Sequence, residues 1–166
     1  MTSISRFKIL FLCTGNSARS IFAEFIAKNH SSGRFDAVSA GSSPKEAPHP
    51  LAIKILKSEY GFDTTTVRSK SWDEFKDQQF DFVITLCDKA REACPVWLGQ
   101  PVVAHWGSPD PSEEFGTREE QEHFFWQVSH QIKRRIDLFA SLPFESLDRL
   151  RLETATKEIG QQSRSL

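Results

Sequence analysis

Cys13 opens an eight-residue segment, Cys13-Thr14-Gly15-Asn16-Ser17-Ala18-Arg19-Ser20, that combines a nucleophile, a turn-forming glycine and a permanent cation. Backbone N–H groups in a tight glycine-containing turn that opens a helix form a nest for anions, and the helix dipole adds to it. Arg19 contributes a planar guanidinium fork suited to a tetrahedral oxyanion. A cysteine at the mouth of that field is placed to react as a thiolate. The bland alternative for such a spacing is a buried strand-end cysteine beside a surface arginine. Other phosphate loops do not fit, because the chain contains neither G-x-x-x-x-G-K-[ST] nor G-x-G-x-x-G. Two further thiols, Cys87 and Cys94, flank Asp88-Lys89-Ala90-Arg91-Glu92-Ala93, a stretch of good helix formers. If that stretch is helical, the two are about 10.5 Å apart along its axis. A disulfide needs Cα atoms within about 7 Å, so the pair could bond only if the segment unwinds. Cys-x6-Cys with no histidine close behind is not a zinc spacing, and no metal site is expected.

The elements around these residues alternate. Phe7 to Leu12 is a short apolar run, as expected of a strand buried on both faces. Ser20 to Asn29 places Ile21, Phe22, Phe25 and Ile26 on one helical face. Phe35 to Ala40 reads as a second strand closed by Gly41, and His49 to Tyr60 as a helix stopped by Gly61. Ser71 to Asp77 is a short helix capped by Ser71. Phe80 to Leu86 and Val102 to Trp106 are strands. Thr117 to Leu142 is a long helix with Phe125, Val128, Ile132, Ile136 and Phe139 in one stripe, ended by Pro143. This order predicts an α/β domain, a four-stranded parallel sheet flanked by helices on both faces, with ligands beyond the carboxyl ends of the strands. Cys13 and Cys87 would then emerge at one edge. The expected organisation is a catalytic domain over 1–143 and a helical tail over 144–166. In that tail Leu147, Leu150, Ala155 and Ile159 are loosely helical in spacing, giving a peripheral helix without visible chemistry.

With 166 residues, the chain is long enough to bury its own core without disulfides or a structural metal. The 21 Lys plus Arg against 22 Asp plus Glu leave no basic excess for general nucleic-acid binding. No apolar run approaches a membrane span, and no signal peptide is visible, so a cytoplasmic protein is expected. Three cysteines cannot all pair at once, and in a reducing compartment they read as reactive or buried thiols.

FLCTGNSARS, Ser39-Ala40-Gly41, VITLCD at Val83 to Asp88 and HWGSPDP at His105 to Pro111 together resemble the low-molecular-weight tyrosine phosphatase family, and more narrowly its thiol-coupled arsenate reductase branch. The resemblance runs from about Lys8 to Leu142. It implies that Asp110, stiffened by prolines on both sides, is the general acid, while His105 and Trp106 read as structural. It implies an arsenate reductase in which Cys13 attacks arsenate, with Arg19 and the amides of residues 14 to 20 holding the oxyanion. Cys87 then attacks the adduct and releases arsenite, and Cys94 takes over the disulfide for reduction by thioredoxin or a similar dithiol. Residual phosphatase activity is expected.

The resemblance also raises a potassium site beside the nucleophile loop, with Asn16, Glu24 and Ser39 as candidates. Here Arg68-Ser69-Lys70 replaces the usual acidic partner, and the Lys70 ammonium would fill the cation's place, so no functional potassium site is expected. Asn16 then orients the loop, Ser17 hydrogen-bonds Cys13, and Ser20 caps the helix. The rival enzyme is a phosphatase using Cys13, Arg19 and Asp110 alone. The non-enzymatic rival is an oxyanion sensor that binds through the three thiols.

Overall fold

In the computed structural model, residues 6–113 and 116–161 are described. Four strands, β1 (Phe7–Cys13), β2 (Phe35–Gly41), β3 (Phe82–Thr85) and β4 (Val102–His105), form one parallel sheet in the order β2-β1-β3-β4. The chain leaves β1 toward β2 on one side and returns to β3 on the other, so strand order reverses between β1 and β3. The register aligns Cys13 with Gly41, Leu12 with Thr85 and Thr85 with His105. The carboxyl ends of all four strands therefore meet at one edge, and the crevice at the reversal opens there.

The β1 run is continuous in apolarity because both of its faces are covered. Ile9 and Phe11 face α1 (Arg19–Lys28), α2 (Pro50–Ser58) and α4 (Arg118–Ala140), while Leu10 and Leu12 face the other layer. That layer is thinner: a 3-10 turn at Trp72–Phe75, the short helix α3 (Asp88–Ala93), Phe80 and Trp97. Helix α1 is buried almost all round, between sheet and α4, which is why its Glu24 lies in the interior. The five predicted stripe residues of α4 are fully buried, and Thr117 with Glu120 closes a capping box at its start. The strands begin or end a residue or two from the sequence expectation. Phe80 and Asp81 precede the β3 ladder, and His49 and Ser71 cap the elements they open.

After a second 3-10 turn, Phe144–Ser146, helix α5 (Arg149–Gln161) packs along β4. Of the expected apolar positions, its docking face keeps Ile159 but not Leu150. Thr156, Ile159 and Gly160 are buried, whereas Leu150 is 73% exposed. A Cβ at Gly160 would overlap the His105 carbonyl oxygen, so glycine sets how closely this helix approaches the strand end. The Trp106 indole N–H donates to the Thr156 carbonyl at 3.0 Å. Among the described residues no helix is long and apolar enough to cross a membrane.

Candidate active site

Strand β1 delivers Cys13, 2% exposed, to the carboxyl edge of the sheet. The loop that follows is built by its carbonyls. Those of Cys13, Thr14, Gly15 and Ser17 accept from the backbone N–H groups of Ser42, Ser43, Lys45 and His49, and that of Asn16 accepts from Ser69 Oγ. Five consecutive carbonyls are thus held outward against the 42–49 segment and Ser69, which turns the loop amides toward the opposite side. A Cβ at Gly41 would overlap the Thr14 carbonyl oxygen, so glycine is required where β2 passes the loop.

Asn16 is fully buried with φ +46°, the left-handed conformation that asparagine tolerates better than most residues. Its N–H donates to Cys13 Sγ at 3.3 Å. Its Nδ2 donates to Ser20 Oγ at 2.8 Å and Ser39 Oγ at 2.9 Å, and its Oδ1 accepts from the Lys70 N–H at 2.8 Å. These bonds tie the loop to β2, to α1 and to the backbone at Lys70.

Two expectations for the serines are corrected. The residue hydrogen-bonded to Cys13 Sγ is Ser20, at 2.9 Å, not Ser17. Nor does Ser20 cap α1: the cap position is Ala18, which makes no side-chain cap, and Ser20 lies inside the first turn. Helical side chains tilt toward the N-terminus, and that tilt carries the Ser20 hydroxyl back over the strand end where Cys13 emerges.

The loop, Arg19, Lys45 and Asp110 border a cavity of about 410 Å³ with Cys13 at its wall. Arg19 Nη1 donates to the Ser108 carbonyl at 3.1 Å, and Nη2 lies 3.6 Å from Asp110 Oδ2. Asp110 Oδ1 accepts from Ser112 N–H at 2.9 Å and Oγ–H at 2.6 Å. Burial pushes the Asp110 carboxyl up, but these two hydrogen bonds and the charges of Arg19 and Lys45 outweigh it and hold it below its ordinary value. At neutral pH Asp110 is therefore a carboxylate; the negative charge of an oxyanion in the cavity would act the other way, toward the protonated form.

The Glu24, Ser39 and Asn16 cluster surrounds an ammonium. Lys70 Nζ donates to Glu24 Oε1 at 3.2 Å, to Ser39 Oγ at 3.5 Å and to the Arg68 carbonyl at 2.9 Å. Ser39 Oγ donates in turn to Glu24 Oε1 at 2.6 Å. Burial lowers the Lys70 pKa, against the raising charge and hydrogen bond of Glu24. Among the described residues no group of three or more His, Cys, Asp or Glu side chains is placed to hold a metal ion.

All three thiols are free. Cys87 follows β3 and caps α3, its Sγ accepting from the Ala90 N–H at 3.4 Å and hydrogen-bonded to Thr14 Oγ1 at 3.3 Å. Cys94 closes the other end of the same helix, and burial pushes its thiol up. The pair thus flanks a formed helix, too far apart to bond without its unwinding. Both border a second cavity of about 1000 Å³ that also touches Arg19 and His105. Arg19 is common to the two cavities. His105 bridges β4 to α3, with Nδ1 2.8 Å from Thr85 Oγ1 and Nε2 3.2 Å from Asp88 Oδ1, in keeping with a structural role. Lys45 and Ser112 are site residues that no sequence pattern singles out; they arrive through the backbone strap after β2 and the turn after Asp110.

The sequence model of the low molecular weight phosphotyrosine protein phosphatases matches residues 8–152. An arsenate reductase of Halalkalibacterium halodurans is 39% identical over 132 residues, 80% of this chain and 94% of that protein. A glutaredoxin arsenate reductase of Synechocystis is 30% identical over 78% of this chain and 93% of its own length. A solved structure described as an arsenate reductase in the phosphate binding state superposes with a TM-score of 0.67 at 29% identity, covering 81% of this chain and 97% of that one.

Proposed function

Because the chain belongs to the low-molecular-weight phosphotyrosine protein phosphatase family, we propose that it uses that family's oxyanion loop to reduce arsenate to arsenite. One observation carries the choice between reduction and phosphoester hydrolysis: two further free thiols, Cys87 and Cys94, border one cavity next to the nucleophile loop. A phosphatase needs neither. Similarity to arsenate reductases over four-fifths of the chain supports the same reading.

The steps follow from the positions. Arsenate enters the loop cavity, where the amides of residues 14 to 20 and the Arg19 fork hold three of its oxygens. The anion draws Arg19 from Asp110 and favours the protonated carboxyl, which then donates to the departing oxygen. The Cys13 thiolate attacks arsenic, an As–O bond breaks and water leaves. The Cys87 thiolate attacks Cys13 Sγ; an S–S bond forms, the As–S pair passes to arsenic, and arsenic(V) becomes arsenic(III). Cys94 attacks Cys87 Sγ and Cys13 departs as a thiolate, leaving a Cys87–Cys94 disulfide. One arsenate and two thiols give one arsenite, one disulfide and one water.

A protein dithiol of the thioredoxin class fits the Cys87–Cys94 exit. A glutathione or other low-molecular-weight thiol system would make Cys94 dispensable, and the Synechocystis relative is named for glutaredoxin. A relay of free thiols suits a reducing compartment such as the cytoplasm. The loop, Arg19 and Asp110 also suit hydrolysis of small aryl phosphates, which is expected as a weak side activity.

The test is turnover by sub-stoichiometric protein with a thioredoxin system, followed through NADPH oxidation and arsenite release. Many turnovers are expected, and Cys94→Ser should abolish them. Stoichiometric binding without turnover would make the protein a sensor. Retained thioredoxin-linked turnover in Cys94→Ser would overturn the relay.

A further inference from the structure

Arg135 lies on the buried face of α4 and is itself fully buried, beside the apolar stripe of that helix. A buried guanidinium is costly, and an apolar side chain of similar volume would fill the same space without desolvating a charge. Its two terminal nitrogens reach two segments. Nη1 donates to the carbonyls of Trp106 at 2.9 Å and Gly107 at 3.0 Å, and is 3.4 Å from Ser108 Oγ. Nη2 donates to the carbonyl of Gly160 in α5 at 3.3 Å. Ser108 Oγ donates to Gln131 Oε1, one turn earlier on α4, at 2.7 Å. The three residues gripped this way run directly into Pro109 and Asp110, and the carbonyl of the last of them, Ser108, receives Arg19 Nη1.

We propose that Arg135 is a positioning residue for the oxyanion reaction: by holding Trp106, Gly107 and Ser108 it sets both the loop that aims Asp110 and the carbonyl that braces Arg19, and it couples them to α5 through Gly160. Arg135 touches neither the oxyanion cavity nor the reacting sulfur. It acts through two groups that do, and the fork is what permits it, since one nitrogen serves the loop and the other serves the helix. A lysine keeps the charge but cannot span both. The C-terminal helix, whose sequence suggests only a peripheral element, thereby becomes a prop for the acid loop. The inference rests on reading the Cys13 loop as an oxyanion site, and not on arsenate being its physiological substrate.

The experiment compares the native protein with Arg135→Lys, Gly160→Ala and Phe144→Leu. Phe144 packs on Phe7 and Phe82 at the opposite end of the sheet, so it reports destabilisation alone. Three quantities are read on each: the dissociation constant for inorganic phosphate, kcat and KM for p-nitrophenyl phosphate and for arsenate, and Tm. A displacement of about 1 Å in a positioned group can cost on the order of 100-fold in rate. Arg135→Lys is expected to lower kcat by about that factor and to weaken phosphate about tenfold. Gly160→Ala should move both constants in the same direction by a smaller factor. Phe144→Leu should lower Tm and leave both constants native. Native phosphate affinity and native kcat in folded Arg135→Lys would overturn the proposal. If Arg135→Lys does not fold, Gly160→Ala decides, and native constants there overturn it. If the native protein binds phosphate but does not turn over arsenate, the reductase reading falls, and the Arg135 inference is still decided by the phosphate constants.

Discussion

In the proposed reaction Asp110 is a carboxylate and an acid at different moments. Hydrogen bonds from Ser112 and the charges of Arg19 and Lys45 hold it ionised in the free site, and the charge of a bound anion would oppose them. Asp110→Asn keeps the shape but can never give up a proton. It should reduce kcat for arsenate by roughly 100-fold with little change in the phosphate dissociation constant. Steady-state rates and a phosphate titration on one preparation check this, and an unchanged kcat would remove Asp110 from the reaction. Lys70 makes a second prediction. Its ammonium and the Glu24 carboxylate are a buried pair, with side chains 6% and 9% exposed. Lys70→Ala strands that carboxylate and should cost about 3 kcal/mol of unfolding free energy. Potassium should restore part of it, whereas the native protein should unfold identically in potassium and sodium chloride. Denaturant titrations in the two salts measure this, and a potassium-specific gain in the native protein would show that the lysine does not replace the ion. The expected roles of Cys13 and Arg19 follow from residue type and spacing, whereas those of Asn16 and Lys70 could be read only through the family resemblance. The exchange of Ser17 for Ser20 as partner of Cys13 was not legible, because it depends on which residue begins α1.

The proposed relay turns on helix α3. That helix has six residues, too short to be stable by itself, and its two ends are the two thiols that must meet. Held as a helix it keeps Cys87 beside Thr14 and the nucleophile loop; unwound, it lets Cys94 reach Cys87. Burial raises the Cys94 thiol above its ordinary value, so at neutral pH only a small fraction is ionised. The attacking species is the thiolate, so the final exchange should quicken about tenfold per pH unit between pH 7 and 9. Acid-quenched single turnovers with mass analysis of the disulfides would follow it. A rate independent of pH would mean that unwinding, not ionisation, limits the step. The helix itself was readable from composition. The strap of residues 42–49 that turns five loop carbonyls outward was not, because backbone hydrogen bonds between distant segments leave no residue-type signature.

At the scale of the whole molecule, a near-neutral chain must capture an oxyanion locally, and the sheet makes this possible. Reversal of strand order between β1 and β3 brings Cys13 and Cys87, more than seventy residues apart in sequence, to neighbouring strand ends. Parallel alternation in the sequence already implies this. The contribution of α5 was legible only in Ile159, since its other buried anchors are a glycine and a threonine rather than an apolar stripe. The central claim is that all three cysteines serve one reaction in succession. Its most direct test is mass spectrometry of disulfides trapped after a single arsenate turnover without reductant. One arsenite per chain and a Cys87–Cys94 linkage with Cys13 free are expected. Arsenite release with all three thiols still reduced, or with a disulfide that excludes Cys87, would contradict the account.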